Sequence, residues 1–186
     1  MLKSLKLQGI GPVSNLAAQF GNRLNVLTGD NGLGKSFLLD VCFWALTGTW
    51  PGGRTAIPEA AGTANPAPSI SFELATGRAK SRTAEYIYQS QAWATEAWAP
   101  APALVLYAAV DGSFSVWDYA RNDWPTSLLL ARGLHLSKEK PEPLAYQFSS
   151  EAVAEGLKDG DRVLCNGLIQ DWVTWYYQRS RNGSDN

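Results

Sequence analysis

Gly29-Asp30-Asn31-Gly32-Leu33-Gly34-Lys35-Ser36 decides how this chain is read. The stretch has the form G-x-x-x-x-G-K-[ST], the pattern of a phosphate-binding loop. Glycine accepts positive φ and lets the backbone come close to a phosphate chain. Successive backbone N–H groups can then converge as an anion nest. The helix that follows adds the partial positive charge of its N-terminus. In such a loop Lys35 would reach the β- and γ-phosphates, and the Ser36 hydroxyl would coordinate Mg2+. Residues 29–36 together are the expected nucleotide-binding set, with Ser36 the one metal-binding candidate.

The flanks extend the pattern. Leu24 to Thr28 is nearly all apolar and predicts a strand covered on both faces. A helix is expected from about Gly34 to Thr47. Its residues Phe37, Leu38, Leu39, Val41, Cys42, Phe43, Trp44, Ala45 and Leu46 are apolar almost all round, which predicts a buried helix. Gly48, Pro51, Gly52 and Gly53 end it.

Upstream, Leu2, Leu5 and Leu7 nearly alternate with Lys3, Ser4, Lys6 and Gln8, a half-buried strand that Gly9, Gly11 and Pro12 break. A second strand is expected at about Leu16–Phe20. Downstream, residues 51–68 carry four prolines and read as a long loop. Strands are expected at about Ser69–Ala75 and Ala84–Gln91, then a Trp-rich stretch from Trp93 to Trp98. Asp111-Gly112 between apolar runs predicts a type I′ hairpin. Helices are expected from Ser149 to about Lys158 and from Gly167 to Gln178, the second with apolar residues at i, i+3, i+4 and i+7. The fold class is α/β with α+β character.

Composition narrows the class. The chain has 186 residues, 45% hydrophobic and 18% charged, with formal net charge −1, which suits one domain or a little more. That balance argues against nucleic-acid binding by bulk charge, though not against a local basic patch. Cys42 and Cys165 lack C-x-x-C partners and read as buried thiols. The longest apolar stretch, Phe37 to Leu46, is too short for a membrane span of about 20 residues. No secretory signal is evident, so the expected location is cytoplasmic. Eight tryptophans imply large flat packing surfaces.

Asn31-Gly32 gives the fuller form G-x-N-G-x-G-K-S. With Ile10-Gly11-Pro12, Phe20-Gly21 and Leu24-Asn25-Val26-Leu27-Thr28-Gly29, it resembles the start of ABC-type P-loop ATPases of the RecF, SMC and OLD group. The segments Leu39-Asp40, Trp44–Trp50, Val110–Asp118 and Cys165–Val173 resemble bacterial AAA family ATPases, such as those of Septu or retron-associated anti-phage defence. The resemblance covers most of residues 1–175. It implies an ABC-ATPase-like N-terminal lobe over residues 1–178, truncated before the second lobe and followed by a polar tail at 179–186. An antiparallel β-layer would precede the phosphate loop and a buried P-loop helix would follow it. ATP would be the nucleotide and Mg2+ the ion. The implied activity is ATP hydrolysis through head dimerisation. The implied partners are the missing C-terminal lobe or a second ATPase subunit, and DNA or an effector protein.

The hydrolytic elements of that family are not evident. Leu104–Asp111 is an apolar run ending in an acid, but Gly112 follows and the hairpin explains it better. His135 has no flanking partner of catalytic type, and no signature loop is present. Gln170 falls in the region where a γ-phosphate and Mg2+ sensor is implied, although it sits mid-helix. Gln89 and Gln91 are weaker candidates. Arg78, Lys80 and Arg82 are read first as a solvated turn, with DNA phosphate as the sharper alternative. Trp172 and Trp175 read as core or buried interface, a face that would stand exposed and sticky if the rest of the ATPase is absent. Nucleotide binding with little turnover is therefore expected of this chain alone. A non-catalytic interaction module with a relic loop is the main alternative. A nucleotide kinase fits poorly, because kinases alternate strands and helices.

Overall fold

The computed structural model describes residues 1–58, 67–75, 81–95, 103–122 and 145–182. His135, Arg78, Lys80 and Trp98 lie outside these residues. The chain divides into two units, Met1–Val105 with Trp117–Ala145, and Leu106–Val116 with Tyr146–Asn186.

The first unit is built on an antiparallel sheet of five strands in the order β2-β1-β3-β4-β5. These strands are β1 (Leu2–Gln8), β2 (Asn15–Gln19), β3 (Ser69–Leu74), β4 (Ser81–Ile87) and β5 (Ala92–Thr95). Alternation decides which face is covered. Ile70, Phe72 and Leu74 of β3 are buried, as are Ala84 and Tyr86 of β4. In β1, Leu5 and Leu7 share a parity but Leu2 does not. A register shift between Leu2 and Ser4 corrects this, so Leu2 pairs with Leu74 while Leu5 pairs with Phe72. All three leucines are thereby buried.

The helix α1 (Lys35–Thr47) packs into the same core through Leu38, Val41, Trp44 and Ala45. Fully burying a side chain such as Ile70 or Phe72 contributes about 1.5–3 kcal/mol. Trp44 stacks on Trp50 at 5.3 Å and meets Phe72 edge-on at 6.0 Å. Gly48 ends the helix at φ 77°, donating its N–H to the Trp44 carbonyl at 2.7 Å. A short 3-10 turn, Pro51–Gly53, follows. Trp93 Nε1 donates to the Ala56 carbonyl at 2.7 Å and anchors the start of the loop beyond it.

Two expectations change here. Residues 24–28 do not form a strand, and Leu24 and Val26 are 81% and 71% exposed. A segment becomes a strand by hydrogen-bonding to a neighbour, and no strand among the described residues pairs with this one. Its backbone is diverted locally instead. Gly21 N–H donates to Asn25 Oδ1 at 2.7 Å, and Asn25 Nδ2 returns to the Gly21 carbonyl at 3.2 Å. Nor is α1 buried all round, since Leu39 is 45% exposed and Ser36 is exposed. Its covered side is the one that meets the sheet. Within the Trp-rich stretch, residues 92–95 form β5.

The second unit holds most of a three-stranded sheet in the order β6-β7-β8, made of β6 (Leu104–Ala108), β7 (Phe114–Asp118) and β8 (Tyr146–Phe148). The short helix α2 (Tyr119–Asn122) follows β7. The β6–β7 connection is a hairpin but not type I′. Gly112 has φ 82° whereas Asp111 keeps a negative φ, and Ala109 N–H pairs with the Ser113 carbonyl at 2.9 Å. The loop is therefore Val110-Asp111-Gly112, a type I turn closed by a glycine bulge. Ser149 caps α3 (Ser150–Glu155), its Oγ accepting the Ala152 N–H at 3.1 Å. The helix expected to reach Lys158 stops at Gly156, and a hairpin of β9 (Gly156–Asp159) and β10 (Arg162–Asn166) takes its place. The final helix α4 (Leu168–Asn182) runs past Gln178, so residues 179–182 are helical. Trp172 and Trp175, expected to be covered, are 70% and 66% exposed. No element of this unit among the described residues packs over their face. Cys165 is exposed rather than buried, because all of β10 is.

Candidate phosphate-binding site

The candidate site lies in the first unit, where the loop after Thr28 turns into α1. Gly29, Gly32 and Gly34 all have positive φ, at 139°, 86° and 82°. Gly34 is the N-cap of α1 in the left-handed conformation and offers no side chain to cap the helix. No acidic residue stands in the first turn. The first N–H groups of a helix have no intrahelical partner, so this end is left to bind an external anion. A β-carbon on Gly32 would meet nothing within 4 Å, which leaves the space above the loop open.

Lys35 folds back over the loop. Its Nζ donates to the Gly29 carbonyl at 2.8 Å and to the Asp30 carbonyl at 2.6 Å. An ammonium has three donors, so one direction remains for a further acceptor. Ser36 is the second residue of α1 and exposed. Asp30, Asn31 and Leu33 are exposed on the loop. Residues 29–36 thus form one continuous surface. Donors, an ammonium and an exposed hydroxyl together suit a phosphate chain carrying a divalent ion. Among the described residues no group of three or more His, Cys, Asp or Glu could hold a metal on its own.

A contact absent from the sequence reading supports this loop. The turn between β1 and β2, closed by Gly9 N–H to the Ser14 carbonyl at 2.8 Å, leans on the first turn of α1. The Pro12 ring occupies the place of a β-carbon on Gly34, and the Phe37 ring occupies that of a β-carbon on Gly11. In the sequence Gly11-Pro12 signals only a break after β1, and nothing local points to Gly34.

The other candidates sit on other elements. Asp111 Oδ1 accepts from Ser113 N at 2.9 Å and from Ser113 Oγ at 2.6 Å, so it serves its turn. Gln170 is exposed on α4, in the second unit, where its carbonyl accepts from Thr174 Oγ1 at 2.8 Å. Gln89 and Gln91 lie in the turn between β4 and β5, and Gln91 has φ 50°. Arg82 is partly buried on β4. Burial pushes the Cys42 thiol up to about 12, which keeps it protonated and unsuited to redox or metal chemistry.

The match begins two residues into β1 and ends with β5. An AAA domain family model covers residues 4–95. This supports an AAA/P-loop-like ATPase family and a nucleotide-binding, ATPase-like character for the segment that contains residues 29–36. No curated protein and no solved structure matches the chain. The AAA domain match spans the sheet and helix that carry the loop, and leaves the second unit outside it. No described helix is long and apolar enough to cross a membrane.

Proposed function

We propose that residues 29–36 bind MgATP and that this chain is the nucleotide-binding part of an ABC/RecF-like ATPase. One observation carries the reading. Lys35 arches over a loop of positive-φ glycines at an uncapped helix start. A bound triphosphate would accept from the loop N–H groups and from the Lys35 ammonium. Ser36 Oγ would hold the ion. Bound Mg2+ supplies neutralisation of the β- and γ-phosphate charge. Lys35 would move from the Gly29 and Asp30 carbonyls toward the phosphates, exchanging neutral acceptors for charged ones.

We read residues 24–28 as the seam at which a C-terminal lobe or second subunit completes the sheet. Support comes from the exposed side chains of Leu24, Val26 and Leu27, at 81%, 71% and 36%, directly before the phosphate loop. Hydrolysis would await that completion, since Asp111 is held in a turn. A role in DNA repair or anti-phage defence in the cytoplasm rests on the sequence resemblance.

Thermal unfolding with and without MgATP, on the wild type and on Lys35→Ala, tests the site. At 100 times its dissociation constant a ligand stabilises by about 2.7 kcal/mol. Stabilisation of the wild type alone supports the reading. A folded chain that ignores MgATP in both forms would favour the interaction module, for which the exposed apolar side chains of α4 speak.

A further inference from the structure

We propose that Pro12 is a positioning residue for the phosphate loop, setting affinity for the phosphate chain of the nucleotide through Gly34. The inference rests on the proposed nucleotide site and goes beyond it, because Pro12 lies outside residues 29–36.

The argument starts from what the loop needs. An anion nest works when its N–H groups already converge, since ordering them on binding subtracts from affinity. At the head of α1 that order depends on Gly34, whose φ of 82° aims the N–H groups that follow. Glycine left to itself leaves this conformation readily. Here the Pro12 Cδ lies 3.1 Å from the point a Gly34 β-carbon would occupy, and Cγ lies closer still. Gly34 therefore turns under a solid roof.

The roof is itself stiff. Proline fixes its own φ, and its ring has little freedom. Gly11 beside it has φ 85° and backs onto the Phe37 ring, in the first turn of α1. The Gly9–Ser14 hydrogen bond closes the turn that holds both. Two contacts, Pro12 on Gly34 and Gly11 on Phe37, thus brace the loop from the β1–β2 side. Pro12 itself is exposed, so its ring adds little to the core.

The test compares wild type, Pro12→Ala, Pro12→Val and Lys35→Ala. It measures affinity for MgATP and for inorganic triphosphate, and the melting temperature without ligand. Pro12→Ala should weaken both ligands by the same factor, about tenfold, equivalent to about 1.4 kcal/mol. Its unliganded melting temperature should stay that of the wild type. Pro12→Val, which refills part of the space over Gly34, should recover part of the loss. Wild-type affinity in Pro12→Ala, with Lys35→Ala defective, would overturn the inference and leave the site standing. Loss for MgATP but not for triphosphate would overturn it too, by placing Pro12 against base or sugar. A fall in unliganded stability that accounts for the whole loss would make the role merely structural. A folded wild type that binds neither ligand would overturn the site and this inference together.

Discussion

Lys35 Nζ lies 2.8 Å from the carbonyl oxygen of Gly29, so the ammonium closes the loop it is expected to serve. The loop is exposed, and surface substitutions usually change stability by no more than about 0.5 kcal/mol. Lys35→Ala should therefore fold like the wild type. It should lose the MgATP-dependent rise in melting temperature, read by calorimetry at matched ligand concentrations.

Phe72 is a sharper probe of the core. It is fully buried beneath α1 and meets Trp44 edge-on. Phe72→Ala should cost about 3–5 kcal/mol, measured as a lower urea midpoint. An unchanged midpoint would mean that α1 does not pack on this sheet.

Cys42 gives a pH signature. Its folded pKa is raised from 9.0 to about 12 by burial, so the unfolded chain ionises first. The folded state then binds more protons above pH 9, and stability contributed by the neutral thiol is lost between pH 9 and about 12. It is fully present below that window. The wild type should lose more stability across it than Cys42→Ala does, in unfolding curves taken at several pH values. In native buffer a thiol reagent should label the exposed Cys165 rapidly and Cys42 only after unfolding.

Trp172 and Trp175 stand exposed one turn apart on α4. Contiguous apolar surface of this kind binds hydrophobic dyes and self-associates. Trp172→Gln with Trp175→Gln should lower dye fluorescence and light scattering and leave the urea midpoint in place. A shifted midpoint would show that these rings are covered in solution.

Much of the first unit was legible because its signals are local. Leu5 and Leu7 alternate with polar neighbours and Gly48 stops α1, just as Ser149 in the second unit caps the helix expected there. The positive φ of Gly29, Gly32 and Gly34 was legible for a similar reason, since glycine spacing reports backbone conformation directly. Residues 24–28 misled because an apolar run records how much cover a segment requires, not which neighbour provides it. Leu2 joined the inner face only through a bulge that no side-chain pattern announces. Lys158-Asp159-Gly160-Asp161 is polar enough to hide the β9–β10 turn, where Gly160 takes φ 58°. Contact between Pro12 and Gly34 was invisible, because proximity across the fold leaves no periodicity in the chain.

The stacked pair at the end of α1 has an optical consequence. Trp44 and Trp50 lie 5.3 Å apart with planes inclined by 18°. Indoles this close couple their electronic transitions, so the pair should give circular dichroism bands of opposite sign in the ultraviolet. That couplet depends on the exit from α1 holding its geometry. It would fade when this corner loosens, even while the sheet stays intact. The protein thus carries an intrinsic spectroscopic gauge of one helix end, readable without any label.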